Sequence, residues 1–234
     1  MIGRETISVI IPTFNEAEQI TATIDGINRF ADHRLLEIIV VDGGSTDQTV
    51  QLAKKVGAHV VISPLQGRAA QMNYGAELAQ GEVLYFVHAD VKIHSDYVSD
   101  IFEAIAQGYH LGCYRYVFDS KHLLLKVNAF CIRFNKIWCR GGDQTLFVIK
   151  KHFNELNGYK SNYLIMEDYD FILRAQQKFK FRIIPKNIVV SARKYQNNSY
   201  FKVMWANYTI FKMFFNGASQ DDMVKKYKSM LNYR

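Results

Sequence analysis

The chain has 234 residues, 49% of them hydrophobic and 14% aromatic, with 14 Gly, 3 Pro and a formal charge of +7. This apolar content excludes a disordered chain, the few Gly and Pro exclude a collagen-like one, and the length suits one large domain or two small ones. No apolar run reaches the ~18 residues that span a bilayer. The opening Met-Ile-Gly-Arg-Glu-Thr carries no apolar signal segment, so a cytoplasmic location is expected.

The charge is uneven. From Arg174 onward thirteen Lys and Arg face only Asp221 and Asp222, a net of +11 that leaves −4 for residues 1–173. An anionic partner of that last quarter is expected, whether membrane headgroups, a phosphorylated substrate or nucleic acid. Cys113, Cys131 and Cys139 form an odd set without CxxC spacing, which fits reduced thiols better than disulfides or a zinc site.

In chain order, Ile7–Ile11 is a β-branched run that Pro12 is expected to stop. Asn15 with Glu18 resembles a capping box ahead of Ile20, Ile24 and Ile27 at helical spacing. Leu36–Val41 predicts a second strand, followed by the turn Asp42-Gly43-Gly44-Ser45 and a helix bearing Val50, Ala53 and Val56. His59–Ile62 predicts a third strand, residues 69–80 a helix, and Val83–Val87 a fourth strand. Such alternation implies a parallel sheet covered on both faces, with ligands expected beyond the strand carboxyl ends.

Beyond residue 95 the order is less regular. Ser95 is expected to cap a helix bearing Val98, Ile101, Phe102 and Ile105. Leu111–Phe118 reads as a strand, Leu123–Ile137 as helical, Thr145–Ile149 as a strand, and a short helix should end at Gly158. Glu167–Lys178 reads as a helix, with short strands at Phe181–Pro185 and Ile188–Val190. Phe201, Trp205, Tyr208, Phe211 and Phe215 then form an aromatic stripe on one helical face, and Ser219 with Asp222 caps a last helix. The stripe is expected to pack on the core. The alternative is a basic aromatic helix lying on a membrane.

Four constellations could carry chemistry, and each also has a plain reading as a turn, a cap or a surface group. In Asp42–Asp47 the glycines would let backbone approach a ligand while Asp42 presents a carboxylate. Gly67-Arg68 opens a helix whose free N–H groups and guanidinium could meet a pyrophosphate. His88 and Asp90, two apart in an extended segment, could converge on Mn²⁺ or Mg²⁺ completed by phosphate oxygens and water. Glu167, Asp168 and Asp170 crowd a helix N-terminus, where one carboxylate could act as general base.

Taken together, Pro12-Thr13-Phe14-Asn15-Glu16, Val41–Asp47, Gly67–Asn73, His88-Ala89-Asp90 and Glu167-Asp168 resemble, in order and spacing, the family 2 glycosyltransferases of the GT-A fold. The likeness covers about the first 185 residues and is nearest to small bacterial members with His-Ala-Asp in place of Asp-x-Asp. Gly142-Asp143-Gln144 and Ser191-Ala192-Arg193-Lys194-Tyr195 also resemble that subset. The resemblance implies an α/β fold with a mostly parallel Rossmann-like sheet, helices on both faces and a C-terminal helical hairpin. It divides the chain into a transferase domain over residues 1–190 and a basic aromatic extension over 191–234.

The resemblance further implies inverting transfer of a sugar from a nucleoside diphosphate donor, UDP- or GDP-linked, to an acceptor hydroxyl in cell-envelope, polysaccharide or glycolipid synthesis. Pro12, Thr13, Glu16, Asp42, Gly43, Arg68, Asn73 and Ala89 would bind the nucleotide sugar, with Arg68 nearest the diphosphate. Asp90 and His88 would hold a divalent cation, and Asp168 would be the base. Gly142, Asp143, Gln144, Glu167 and Arg193 would lie toward acceptor or diphosphate. Many relatives carry a second Asp where this chain has Gly43, so the base-reading carboxylate is missing and the nucleotide is less specified than the reaction. The acceptor would be lipid-linked, with peripheral contact at the inner membrane face and no nucleic-acid partner. The alternatives are a metal-dependent nucleotidyltransferase, which would carry a Gly-rich basic loop after the first strand, and a non-catalytic nucleic-acid-binding protein.

Overall fold

The computed structural model of the protein describes residues 5–140 and 144–231. Gly142 and Asp143 lie outside them. β1 (Ile7–Thr13), β2 (Leu35–Asp42), β3 (His59–Ile62), β4 (Val83–Phe86), β5 (Leu111–Phe118), β6 (Leu146–Ile149) and β7 (Phe181–Val190) form one sheet in the order β3-β2-β1-β4-β6-β5-β7. Pairing is parallel except along β6, which runs antiparallel to β4 and β5.

Strand alternation explains the layering. Ile7, Val9 and Ile11 of β1 face one core, shared with Ile20, Ile24 and Ile27 of α1 (Ile20–Arg29), Ala53 of α2 (Thr49–Lys55) and Ile101 of α4 (Tyr97–Ala106). Ile10 faces the other, with Met72 and Ala76 of α3 (Arg68–Leu78), Phe153 of α6 (Lys150–Glu155) and Phe171 of α7 (Glu167–Gln176). Period 2 on the strands and 3.6 on the helices thus cover the sheet on both faces. α3 lies so close that a Cβ at Gly75 would stand 2.5 Å from Ile10 Cγ2, so only glycine fits there.

Several expectations are corrected. β1 continues through Pro12, because pairing with β4 ends at Ile10–Phe86 and no ladder partner on that side needs the missing N–H. Asn15 does not cap α1. It sits at φ 55° and its Oδ1 instead accepts from Thr46 N at 2.9 Å, while the helix begins at Ile20 without a side-chain cap. Ser95 does not cap α4, which Asp96 precedes without a side-chain bond. The helix expected to reach Ile137 ends as α5 (Leu123–Cys131), and a single 3₁₀ turn follows at Ile137–Cys139. The two last strands are one, β7, whose pairing jumps from Tyr114–Ile184 to Arg115–Asn187, so that Pro185 and Lys186 form a bulge.

The largest correction concerns the end of the chain. α8 (Tyr200–Phe215) turns Val203, Ala206 and Ile210 inward, and Val203 and Ala206 cluster with Leu231 beyond α9 (Gln220–Met230). Phe201, Trp205, Tyr208 and Phe215 are exposed. The slim residues let the helices approach, and the bulky stripe is left outside. Ser219 does cap α9, its Oγ accepting from Asp222 N at 3.1 Å. No helix among the described residues is long and apolar enough to cross a membrane.

Candidate active site

The loops after β1, β2 and β4 gather where the strand order turns from β1 outward to β2 and β4, the position at which open α/β sheets form a ligand crevice. Two of them are knitted together by short polar side chains. Asn15 N donates to Ser45 Oγ at 2.8 Å, Glu16 N to Thr49 Oγ1 at 2.8 Å and Ala17 N to Asp47 Oδ2 at 3.2 Å. Asp42 is buried and accepts from Gly44 N at 2.9 Å, Ser45 N at 2.8 Å and Ser45 Oγ at 2.5 Å, with buried Thr13 Oγ1 at 3.4 Å. Its carboxylate organises the Gly-rich turn, whose Gly44 adopts φ 93°. Gln71 ties turn to sheet, its Nε2 donating to Thr13 O at 2.7 Å and Val41 O at 2.8 Å. A Cβ on Gly43 would stand 3.1 Å from that nitrogen.

Arg68, the first residue of α3, donates through Nε to Glu167 Oε1 and through a terminal nitrogen to Asp168 Oδ2 at 3.0 Å. Sequence reading placed Arg68 near a diphosphate; the structure places it on the two carboxylates that open α7. Glu167 is buried and Asp168 partly accessible, so the first is held wholly inside and the second is reachable from outside. The residue before them, Met166, holds φ 65°, a left-handed conformation costly for a side chain of its kind. That strain turns the chain abruptly into α7. Tyr159 lies beneath. Burial first, and then the charges of Asp168 and Glu167, hold its phenol well above the ordinary range.

Beyond the ends of β1 and β4, Arg193 donates to Glu16 Oε1 at 2.5 Å and Oε2 at 2.9 Å and lies 3.2 Å from Asp90 Oδ2. The Glu16 bond foremost raises the Arg193 pKa. His88 and Asp90 are half-buried on the same turn, and Ala89 between them is buried, its carbonyl accepting from Thr23 Oγ1 at 2.6 Å. The notch beside Asp90 therefore already accommodates a cation, the guanidinium of this chain. One carboxylate and one imidazole fit a divalent ion completed by other oxygens, provided Arg193 yields.

A second group, His94, Asp96 and Asp100, brings its ligand atoms within 4.8 Å of one another. The bulge in β7 fills it with Lys186 Nζ, at 2.8 Å from Asp96 Oδ2 and 2.6 Å from Asp100 Oδ1. It is an ion-pair cluster whose two carboxylates already share that ammonium.

Of the other residues singled out in the sequence, Asn73 exchanges both amide bonds with the backbone of Tyr159, at 2.7 and 2.9 Å, so its side chain ties down that loop. Gln144 is buried. Pro12 is buried in β1, paired with Val41 of β2. Sequence reading missed Gln71, Tyr159 and the Arg193–Glu16 pair. Gln71 stood inside a motif already noted, but nothing in one chain signals a contact between residues so far apart in sequence.

Comparison with known proteins agrees with this architecture. The profile described as "Glycosyl transferase family 2" matches residues 8–156. The PGL/p-HBAD biosynthesis glycosyltransferase of Mycobacterium bovis (strain BCG / Pasteur 1173P2) is 30% identical over 190 residues, covering 71% of this chain and 68% of that protein. For the first curated relatives the match spans about a third of their length. Among solved structures, mannosyltransferase PcManGT from Pyrobaculum calidifontis, in complex with GDP-Man and Mn²⁺, superposes with a TM-score of 0.68 at 17% identity, covering 98% of this chain and 70% of that one. Glucosyl-3-phosphoglycerate synthase from Mycobacterium tuberculosis, in complex with Mn²⁺, UDP and glucosyl-3-phosphoglycerate, gives 0.61 at 19% identity, covering 81% and 71%. The sheet with its antiparallel β6 is thus the GT-A fold, and the chain belongs to glycosyltransferase family 2.

Proposed function

We propose that this chain transfers a sugar, with inversion, from a nucleoside diphosphate donor to an acceptor hydroxyl in cell-envelope, polysaccharide or glycolipid synthesis. The observation that carries the reading is the pair of clasps among the loops at the strand carboxyl ends: Arg68 on Glu167 and Asp168, and Arg193 on Glu16 and Asp90. One side offers a partly accessible carboxylate for proton transfer, and the other a cation-holding notch for phosphate charge. Family membership favours this over nucleotidyl transfer or nucleic-acid binding.

The chemistry follows. Asp168 accepts the proton of the acceptor hydroxyl as its oxygen bonds to the anomeric carbon. The bond from that carbon to the diphosphate breaks on the opposite face, its electron pair leaving on the phosphate oxygen, and configuration inverts. Arg68 orients Asp168. Arg193 stands where charge develops on the leaving group. Asp90, with His88, would hold a divalent ion, Mn²⁺ or Mg²⁺, whose bound charge offsets that of the diphosphate.

Relatives captured with UDP or GDP-Man and Mn²⁺ support a nucleotide-sugar donor and a divalent cation. Gly43 leaves no carboxylate over the base, and both UDP- and GDP-sugars are carried forward as donors. The acceptor is lipid-linked, met at the inner membrane face by the basic C-terminal helices.

A thermal-shift screen with UDP, GDP, UDP-Glc and GDP-Man, with and without Mn²⁺, tests the donor class. A specific binder at 100 times its Kd should stabilise the fold by about 2.7 kcal/mol. No shift with any of them would sink the reading. NMR of the anomeric proton in the first product reads inversion directly.

A further inference from the structure

We infer that α5, the 3₁₀ turn after it and α8 form one bilayer-seating face that reads anionic headgroups and carries the candidate active site to the membrane surface. In α5 and beyond, Leu123, Val127, Phe130, Phe134 and Trp138 are exposed, Leu123 at 71% and Trp138 at 67%. In α8, Phe201, Trp205, Tyr208 and Phe215 are exposed, Phe201 at 73% and Trp205 at 63%. The two segments touch along one seam. Asn128 Nδ2 meets Met204 Sδ at 3.4 Å, and the ring of His122 stacks on Tyr200 with centroids 6.3 Å apart. Exposed apolar residues flank the seam on either helix. Soluble monomers rarely expose large contiguous apolar patches, and those that they do expose mark interaction sites.

Charge identifies the occupant. No Asp or Glu occurs from Lys121 to Arg140 or from Ser191 to Gln220, although the chain holds 22 of them. Lys121, Lys126, Arg133 and Lys136 are exposed among the first set of apolar side chains, and Lys202 and Lys212 among the second. A second copy of this chain would set these cations against one another. Anionic headgroups would neutralise them while Trp and Tyr settle at the polar–apolar boundary, the composition of an interfacial anchor. Both tryptophans of the chain, Trp138 and Trp205, lie on this face.

The seam also opens a route. A cleft of about 480 Å³ lies along it, lined among others by His122, Leu125, Ala192, Tyr195 and Tyr200. Ala192 adjoins Arg193, the residue bonded to Glu16 and Asp90. Resting on the proposed transfer reaction, this geometry lets a lipid-linked acceptor stay in the leaflet while its polar end enters beside the candidate site.

The test is vesicle binding by the full chain, measured without donor so that it fails independently of the transferase reading. Phosphatidylcholine vesicles with and without phosphatidylglycerol are compared by co-sedimentation and by tryptophan emission. Expected are sedimentation with the anionic vesicles, weakened by salt, and a blue shift of the emission. The variant Phe130→Ser/Phe134→Ser/Phe201→Ser, which keeps both tryptophans, should lose at least about tenfold in vesicle affinity. Replacing Lys121, Lys126, Lys136 and Lys202 by Glu should remove the preference for anionic lipid. Unchanged far-ultraviolet circular dichroism and melting of both variants separate lost docking from lost folding. Absence of sedimentation with either vesicle, binding that neither variant reduces, or a dimer in sedimentation velocity whose emission is blue-shifted before lipid is added would each overturn the proposal.

Discussion

Arg193 grips Glu16 across 177 positions of sequence and reaches Asp90 as well, 3.2 Å away. The guanidinium thus stands on the carboxylate proposed to take a divalent ion. In the absence of donor the two cations compete, so Arg193→Ala should tighten Mn²⁺ binding, by up to about fivefold, the worth of a partly exposed ion pair. The same change should lower transfer, because the positive group proposed to stand beside the leaving phosphate is lost. Mn²⁺ titration by electron paramagnetic resonance reads the first effect. Affinity that stays equal or falls would show that the cations do not share the notch.

Asp168 and Glu167 are neighbours with opposite burdens. Asp168→Asn removes the proposed proton acceptor but keeps its shape, so turnover should drop ~10²–10⁴-fold with nucleotide affinity and melting nearly unchanged. Arg68→Ala leaves buried Glu167 without its cation and should cost stability, on the order of 3 kcal/mol. Parallel transfer assays and denaturant unfolding check the contrast. Full activity in the Asn variant would remove Asp168 from the chemistry.

Regular patterns were legible in the sequence, down to β3 at His59–Ile62 and β5 at Leu111–Phe118, because alternation and β-branching act locally. Four of the five motifs lie in loops just beyond strand ends, since such loops are placed by topology. Contacts between motifs were not legible. The spacing of Asn15 and Glu18 is that of a capping box, yet Asn15 bonds to Thr46 in the next loop. Periodicity also cannot tell inside from outside. Val203, Ala206 and Ile210 repeat with the same helical period as the aromatic stripe, and close packing with α9 and Leu231 chose the slimmer set for burial. The exposed face of α5 escaped notice because its apolar residues cover more than one side of the helix.

Asp170 illustrates a purely structural carboxylate in the same acidic cluster. It is buried and holds Lys160 Nζ at 2.7 Å and Arg174 Nε at 2.7 Å, while Arg174 also donates to Leu156 O at 2.6 Å and Gly158 O at 2.8 Å. The network pins the turn after α6 to α7. Asp170→Ala should destabilise by about 3 kcal/mol because the cations lose their buried partner. Asp170→Asn, which can still accept from Arg174, should cost about half as much. Urea unfolding distinguishes them, and equal losses would mean that the charge contributes nothing beyond the hydrogen bonds.

His152 gives the fold an acid sensitivity. Burial first, and then the nearby His110, whose ring centroid lies 4.9 Å away, lower its pKa below the ordinary 6.5, against a smaller opposing pull from Glu155. Above 6.5 the imidazole is neutral whether the chain is folded or not, and the pH has no effect through it. As the pH falls through 6.5 the unfolded chain takes up a proton that the folded one resists, and stability is lost until the folded pKa is passed. His152→Gln removes the titrating group while keeping a polar side chain on Phe179. The wild-type chain should therefore lose more stability than the variant between pH 8 and pH 5.5, two points on either side of the ordinary histidine range of about 6.5. Denaturant melts of both proteins at the two pH values measure the difference, and parallel losses would assign the acid sensitivity to other groups.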